Sequence, residues 1–220
     1  MEHLKAELYS SLGRTYLAKK ECEKALSNQE KALKIRLSRL PPCHYLLAFN
    51  YTDFAKIFLF KKNYDQALEY NLKALEFREN YLLPDHPTTA LSLHYVGKMY
   101  YKIDDLEKAR DYYLKSIEMI KKCLPPSQQH IAPKILEDIA LTYGYKSETA
   151  LNYRLEALKV QKQLTSINYS YLARIHDNIA RTYKSMGKKD DSLQYHKQAL
   201  QIRKRQSVQG CTHEGTSPGV

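Results

Sequence analysis

The 220-residue chain has no tryptophan, only 7 glycines, 8 prolines and 4 cysteines, and 24 acidic residues against 35 lysines and arginines. Each shortage excludes something. So few turn formers cannot supply the many hairpins of a β-sandwich or barrel. Cys22, Cys43, Cys123 and Cys211 lie far apart with no Cys-x-x-Cys pair, so neither a disulfide framework nor a paired-thiol zinc motif is expected, and reduced thiols in a cytoplasmic protein are. No stretch approaches the roughly 20 apolar residues of a membrane-spanning helix; the best run is Tyr45 to Phe49. Residues 1–12 carry Glu2 and Glu7 and no unbroken apolar core, which argues against a secretory signal. A Gly-rich phosphate loop, a GxSxG elbow and an HExxH helix are all missing, so the sequence implies no catalytic residue, cofactor or metal. His44, His86 and His130 do recur, but in linkers too far apart to share an ion, where capping or packing is the expected role.

What is present is 43% apolar and 27% charged residues, a net charge of +11, and 19 tyrosines beside 5 phenylalanines. Long Leu/Ala-rich charged stretches favour helices. The organising feature is self-similarity, which must be sought first because it decides the whole fold. Leu12-Gly13-Arg14-Thr15-Tyr16, Phe54-Ala55-Lys56-Ile57-Phe58, Val96-Gly97-Lys98-Met99-Tyr100, Ile139-Ala140-Leu141-Thr142-Tyr143 and Ile179-Ala180-Arg181-Thr182-Tyr183 share one pattern of bulky apolar, small, two variable, aromatic. Their aromatics are spaced by 42, 42, 43 and 40 residues. Small residues follow in register at Ala25, Ala67, Ala109, Ala150 and Ser192, and again at Ala32, Ala74, Ser116, Ala157 and Ala199.

Each copy therefore reads as two amphipathic helices with apolar or small residues at three-and-four spacing, joined by a short polar turn. Between copies, Leu40-Pro41-Pro42-Cys43-His44, Leu83-Pro84-Asp85-His86-Pro87 and Leu124-Pro125-Pro126-Ser127 end a helix, since proline lacks a donor and disfavours helix before it. Asp85 or His86 is placed to cap the next helix, with Pro87 in its first turn. One hairpin cannot bury its apolar face alone, so neighbours must stack into an all-α solenoid of five helix pairs.

These residues resemble the tetratricopeptide repeat, in the longer version of about 42 residues found in kinesin light chains, over residues 4 to about 205. The Asp85-His86-Pro87 linker and Asn178-Ile179-Ala180-Arg181-Thr182-Tyr183 extend the resemblance to the kinesin light chain type. The second-helix aromatic of the family is matched only by Tyr113; Gln29, Asn71, Arg154 and His196 stand there instead, and Tyr70, Tyr112, Tyr153 and Tyr195 lie one residue earlier. Repeat four has lost two residues in its internal turn, and second helices about two turns longer than usual fit the longer repeat.

The resemblance implies a right-handed superhelix that binds a partner polypeptide along its concave face, as a non-catalytic scaffold or adaptor. The repeats are expected at about 3–44, 45–87, 88–130, 131–172 and 173–205, followed by a disordered tail over 206–220. Carried over copy by copy, the groove-facing residues are Arg14, Lys56, Lys98 and Arg181, with Leu141 in the fourth copy, and around them Thr52, His94, Tyr95, Tyr101 and Asn178. A basic ladder beside tyrosines suits an acidic segment with an aromatic or leucine anchor. The rival expectation is a portion or relative of a longer protein whose enzymatic domain, for example an ADP-ribosyltransferase or a signalling NTPase, lies elsewhere. Nucleic acid is disfavoured because the charge is uneven: residues 1–44 carry 9 basic and 5 acidic residues and 173–205 carry 9 and 3, whereas 45–87 carry 5 and 6.

Overall fold

The structure, a computed structural model, describes residues 2–41 and 44–211, the side chains of 207–211 excepted. Pro42, Cys43 and residues 212–220 lie outside the described residues. Among those described there are ten α-helices, one 3-10 turn (Pro126–Gln128) and no strand. The helices are α1 (Glu2–Ala18), α2 (Cys22–Arg39), α3 (Leu46–Phe60), α4 (Tyr64–Tyr81), α5 (Pro87–Lys102), α6 (Leu106–Cys123), α7 (Ala132–Tyr143), α8 (Glu148–Gln163), α9 (Tyr169–Ser185) and α10 (Lys189–Cys211). The fold class is that of an all-α helical-repeat solenoid. Helix α10 runs on past the boundary expected at 205, because no helix breaker follows Arg205 until Gly210.

Local chemistry sets the helix ends. Asn63, Ser147 and Asn168 cap α4, α8 and α9 by accepting from the backbone N–H three residues on, at 3.1, 3.4 and 2.9 Å. His86 caps α5, its Nδ1 accepting from the Thr88 N–H at 3.2 Å, with Pro87 in the first turn where a missing N–H costs nothing. The turn inside a repeat reverses through one left-handed residue, Lys20, Lys62, Asp104 or Gly187. In the shortened fourth repeat the reversal comes earlier: α7 stops at Tyr143 and Gly144 takes φ +77°.

The chain divides into two compact units, Met1–Met119 and Ile120–Val220. In the first, α1 and α2, α3 and α4, and α5 and α6 form antiparallel pairs, and α2 packs on α3 and α4 on α5. Phe54, Phe58, Ala67 and Met99 make one core cluster, flanked by Leu26, Leu33 and Tyr70. Leu75, Leu93 and Val96 make the next, flanked by Leu68, Tyr100 and Tyr112. In the second unit α7 pairs with α8, α9 with α10 and α8 with α9, and Leu151, Leu158, Ile175 and Ile179 are buried.

The repeated small residues let these pairs close up. A Cβ on Gly97 would stand 2.8 Å from Tyr113 Cδ1, and one on Gly13 2.9 Å from Gln29 Nε2, so both glycines seat a large side chain of the partner helix. The tyrosines one residue before Asn71, Tyr113, Arg154 and His196 stack on the aromatic of the first helix. Phe58–Tyr70, Tyr100–Tyr112, Tyr143–Tyr153 and Tyr183–Tyr195 have ring centroids 5.4, 5.4, 6.0 and 5.5 Å apart at interplanar angles below 30°.

Candidate functional site

A second feature repeats with the fold. From the last turn of α2, the buried Arg36 donates from Nη1 to Ser10 Oγ on α1, at 3.0 Å, and to Asn50 Oδ1 on α3. Forty-two residues on, Arg78 donates from Nη2 to Thr52 Oγ1 on α3, at 3.1 Å, and from Nη1 to Ser92 Oγ on α5. Each arginine thus ties its own first helix to the next one through residues at equivalent places. A rigid five-donor fork can hold two acceptors at once, which an ammonium does less well. Gln29 completes the first clamp: Nε2 donates to the Ser10 carbonyl at 3.1 Å, and Oε1 accepts from Asn50 Nδ2 at 3.0 Å.

These clamps underlie a line of cavities on the first unit. One of about 330 Å³ is walled by Tyr45, Phe49, Phe77, Arg78 and the α5 cap residues His86 and Thr88. It adjoins a second, of about 120 Å³, through Phe49, Arg78 and Thr88, which also involves Thr52, Lys56, Ser92 and Tyr95. Thr52, Lys56 and Tyr95 recur in a third, small hollow with Asn71 and Met99. Lys56 also lines a cavity of about 320 Å³ with Gly13, Arg14, Gln29 and Asp53. Apolar and aromatic at one end, cationic toward the other, this surface has the mix of shape and a few polar anchors that a peptide site needs.

Of the residues the sequence singles out, Arg14, Thr52, Lys56 and Tyr95 meet along these cavities. Lys98 and Tyr101 lie on α5, half-buried, and line none of the four. His94 requires a correction: it is buried, its ring 5.5 Å from that of Tyr113 on α6 and 5.7 Å from that of Tyr95, so it is a packing residue between helices. The simple basic ladder also needs amending. Arg14 Nε donates to Asp53 Oδ2 at 3.0 Å and Lys56 Nζ to Asp53 Oδ1 at 3.2 Å, so one buried carboxylate joins the two cations. The pairing of Asp53 with Lys56, three residues on along α3, is open to sequence reasoning, whereas the one with Arg14 runs between repeats and is not. The arginine clamp carried a signal in the 42-residue interval between Arg36 and Arg78.

Asn178 and Arg181 belong to the second unit, both on α9. Arg181 is exposed. Asn178 donates from Nδ2 to Glu137 Oε2 on α7, and the other oxygen of this buried carboxylate has no hydrogen-bond partner among the described residues. Arg154, fully buried on α8, donates from Nη1 to Thr182 Oγ1 at 2.8 Å and lies 4.5 Å from the centre of the Tyr145 ring. Burial raises the Glu137 pKa above its ordinary value of 4.5, and the hydrogen bond from Asn178 and the charges of Arg154, Lys134 and Arg174 reverse this only in part.

Among the described residues no group of three His, Cys, Asp or Glu side chains could hold a metal ion, and no helix is long and apolar enough to cross a membrane.

Comparison with known proteins agrees with this geometry. A tetratricopeptide repeat family profile matches residues 44–122 and 134–205, and a second profile of the same name matches 3–37. No curated protein sequence matches the chain. Among solved structures, BtubC (BKLC) from P. vanneervenii is 18% identical, with a TM-score of 0.81 over 100% of this chain and 85% of that one. A Podosopora anserina protein of nearly identical, kinesin light chain TPR-like repeats is 15% identical, with a TM-score of 0.73 over 94% of this chain and 99% of that one. A signal transduction ATPase with numerous domains and a tetratricopeptide repeat sensor, from Pyrococcus horikoshii, is 22% identical, with a TM-score of 0.77 over 93% of this chain but only 31% of that one. At these identities the likeness is one of fold.

Proposed function

Since the chain belongs to the tetratricopeptide repeat family, whose repeats generally mediate protein–protein interaction, we propose that it is a non-catalytic adaptor that holds an acidic segment of a partner polypeptide along the first helices of its repeats. The observation that carries this reading is the place of Lys56, which borders three adjoining cavities and stands between the apolar hollow at Phe49 and Phe77 and the Arg14 side. An extended segment laid there offers a large apolar side chain to the hollow and carboxylates to Lys56 and Arg14. Asp53 already occupies both cations, so an acidic ligand competes with an internal carboxylate. The likeness to a sensor array of an ATPase is one of fold and adds no catalytic step.

The test is fluorescence anisotropy with acidic, neutral and basic peptides at low and raised salt, on the wild type and two variants. Reversing Arg14→Glu and Lys56→Glu together weakens acidic-peptide binding about tenfold or more, because each exposed charge contact is worth about 0.5–1 kcal/mol and reversal turns attraction into repulsion. Asp53→Asn, which releases Arg14 and Lys56, tightens it. Equal affinity for all three peptide classes, or no response to the reversal, rejects the reading.

A further inference from the structure

We propose that two copies of this chain associate, α10 of one on α1 of the other, through the kind of interface that α8 and α9 form within each chain. Three of the second helices carry leucines seven residues apart, Leu26 and Leu33 on α2, Leu68 and Leu75 on α4, Leu151 and Leu158 on α8, whereas α6 has Arg110 and Ile117 at these places. The first two pairs pack toward the first helix that follows, Leu26 and Leu33 against the cluster of Phe54 and Phe58, and Leu68 and Leu75 against Leu93 and Val96. Leu151 and Leu158 are only 6% and 7% exposed. At the same places on α10 stand Leu193 and Leu200, and these are 54% and 51% exposed.

The receiving half of the interface is equally recognisable. On α9, which packs against α8, Ile175 and Ile179 are both fully buried. By repeat register their counterparts on α1 are Leu8 and Leu12, which with Leu4 form an apolar stripe at intervals of four. Leu4 is 67% exposed, Leu8 58% and Leu12 36%. The chain therefore displays both halves of a contact it makes internally: a Leu-x6-Leu face on α10 like that of α8, and an aliphatic pair on α1 like that of α9. Charge adds to the match, since the exposed Lys197 lies between Leu193 and Leu200 while the exposed Glu7 adjoins Leu8. Because the two faces differ, the contact is heterologous and leaves one of each open on every pair. The terminal segments are both basic overall, so association strengthens as salt screens them.

Sedimentation velocity on the full chain, from about 1 µM to about 1 mM protein at raised ionic strength, tests this. The wild type shows a mean mass rising above the 25.7 kDa monomer with concentration. Leu4→Glu with Leu8→Glu blocks the α1 face, and Leu193→Glu with Leu200→Glu blocks the α10 face; each variant alone stays monomeric with unchanged helical circular dichroism. Mixed in equal amounts they form a one-to-one dimer and nothing larger, because one intact face of each kind remains. Should a Glu pair unfold its chain, the single exchanges Leu8→Gln and Leu193→Gln replace it in the same mixing experiment. A wild type that is monomeric throughout, an α10 variant that keeps the wild-type mass, as self-pairing of α1 faces predicts, or a mixture that stays monomeric overturns the proposal.

Discussion

Replacing Arg154 by alanine lowers the unfolding free energy by about 3–5 kcal/mol, the cost of leaving a buried charge without its partner. The side chain is fully buried on α8, and its truncation removes the hydrogen bond to Thr182, the contact with the Tyr145 ring and the nearest positive field on Glu137. The wild-type arrangement is itself imperfect, for Arg154 Nε and Nη2 and Glu137 Oε1 have no hydrogen-bond partner among the described residues. Removing both charges while keeping volume, as Arg154→Met with Glu137→Gln, therefore recovers most of the loss, and urea denaturation of Arg154→Met, Glu137→Gln and the double variant gives the coupling directly. A single-variant loss below about 1 kcal/mol, within the range of surface changes, would show that Glu137 needs no counter-charge.

The same site fixes a pH dependence. The folded pKa of Glu137 is raised, so folded protein binds this proton more tightly than unfolded chain does. The contribution to stability is complete below the ordinary value of 4.5 and is lost as pH rises through the folded value. Relative to wild type, Glu137→Gln accordingly gains stability as pH goes from about 4.5 toward neutrality. A difference between the two that does not change with pH contradicts this.

Phe54→Ala costs about 3–5 kcal/mol as well, by a different route: lost apolar burial plus the cavity left behind. Phe54 is buried where three repeats meet, stacked on Tyr70 with centroids 5.0 Å apart and clustered with Phe58, Ala67 and Met99, while Leu26 and Leu33 of α2 close the other side. In a repeat array the loss falls on nearest-neighbour interfaces, so it weakens the joint between α2 and α3 as much as the α3–α4 hairpin. Phe60, on the same helix but exposed, provides the control; Phe60→Ala stays within about 0.5 kcal/mol. Similar losses for the two variants by denaturant titration would remove the distinction between them.

How much was legible in the sequence depended on what repeated. The interval of about 42 residues located the ten helices found among the described residues, and the tyrosines that recur ahead of Asn71, Tyr113, Arg154 and His196 are stacking partners. Arg36 recurs as Arg78 and Arg203, with Ile120 and Gln161 at the places between, yet arginine near a helix C-terminus reads first as a solvated charge complementing the dipole. Asp53 and Glu137 recur only in part: Asp138 stands at the place of Asp53 on α7 and Asp177 at that of Glu137 on α9, but the equivalent of Asp53 on α5 is Tyr95 and that of Glu137 on α3 is Thr52. Arg14 reaches Asp53 and Asn178 reaches Glu137 from other repeats, so spacing along one helix gives no hint of those two contacts. His94 was misplaced for a related reason. Register puts it on the groove side of α5, but the close approach at Gly97 brings Tyr113 up to its ring.

The stacked aromatic pairs give the molecule an optical property. Without tryptophan, its near-ultraviolet circular dichroism comes chiefly from tyrosines, and rings held face to face in fixed packing generate the signal that loosely packed rings lose. Three of the four stacks, Tyr100–Tyr112, Tyr143–Tyr153 and Tyr183–Tyr195, consist of tyrosine alone, each within a different helix pair. Far-ultraviolet ellipticity counts helix, whereas this band reports whether the two helices of a repeat are still locked together. A repeat that opens while its helices persist becomes visible without any attached label.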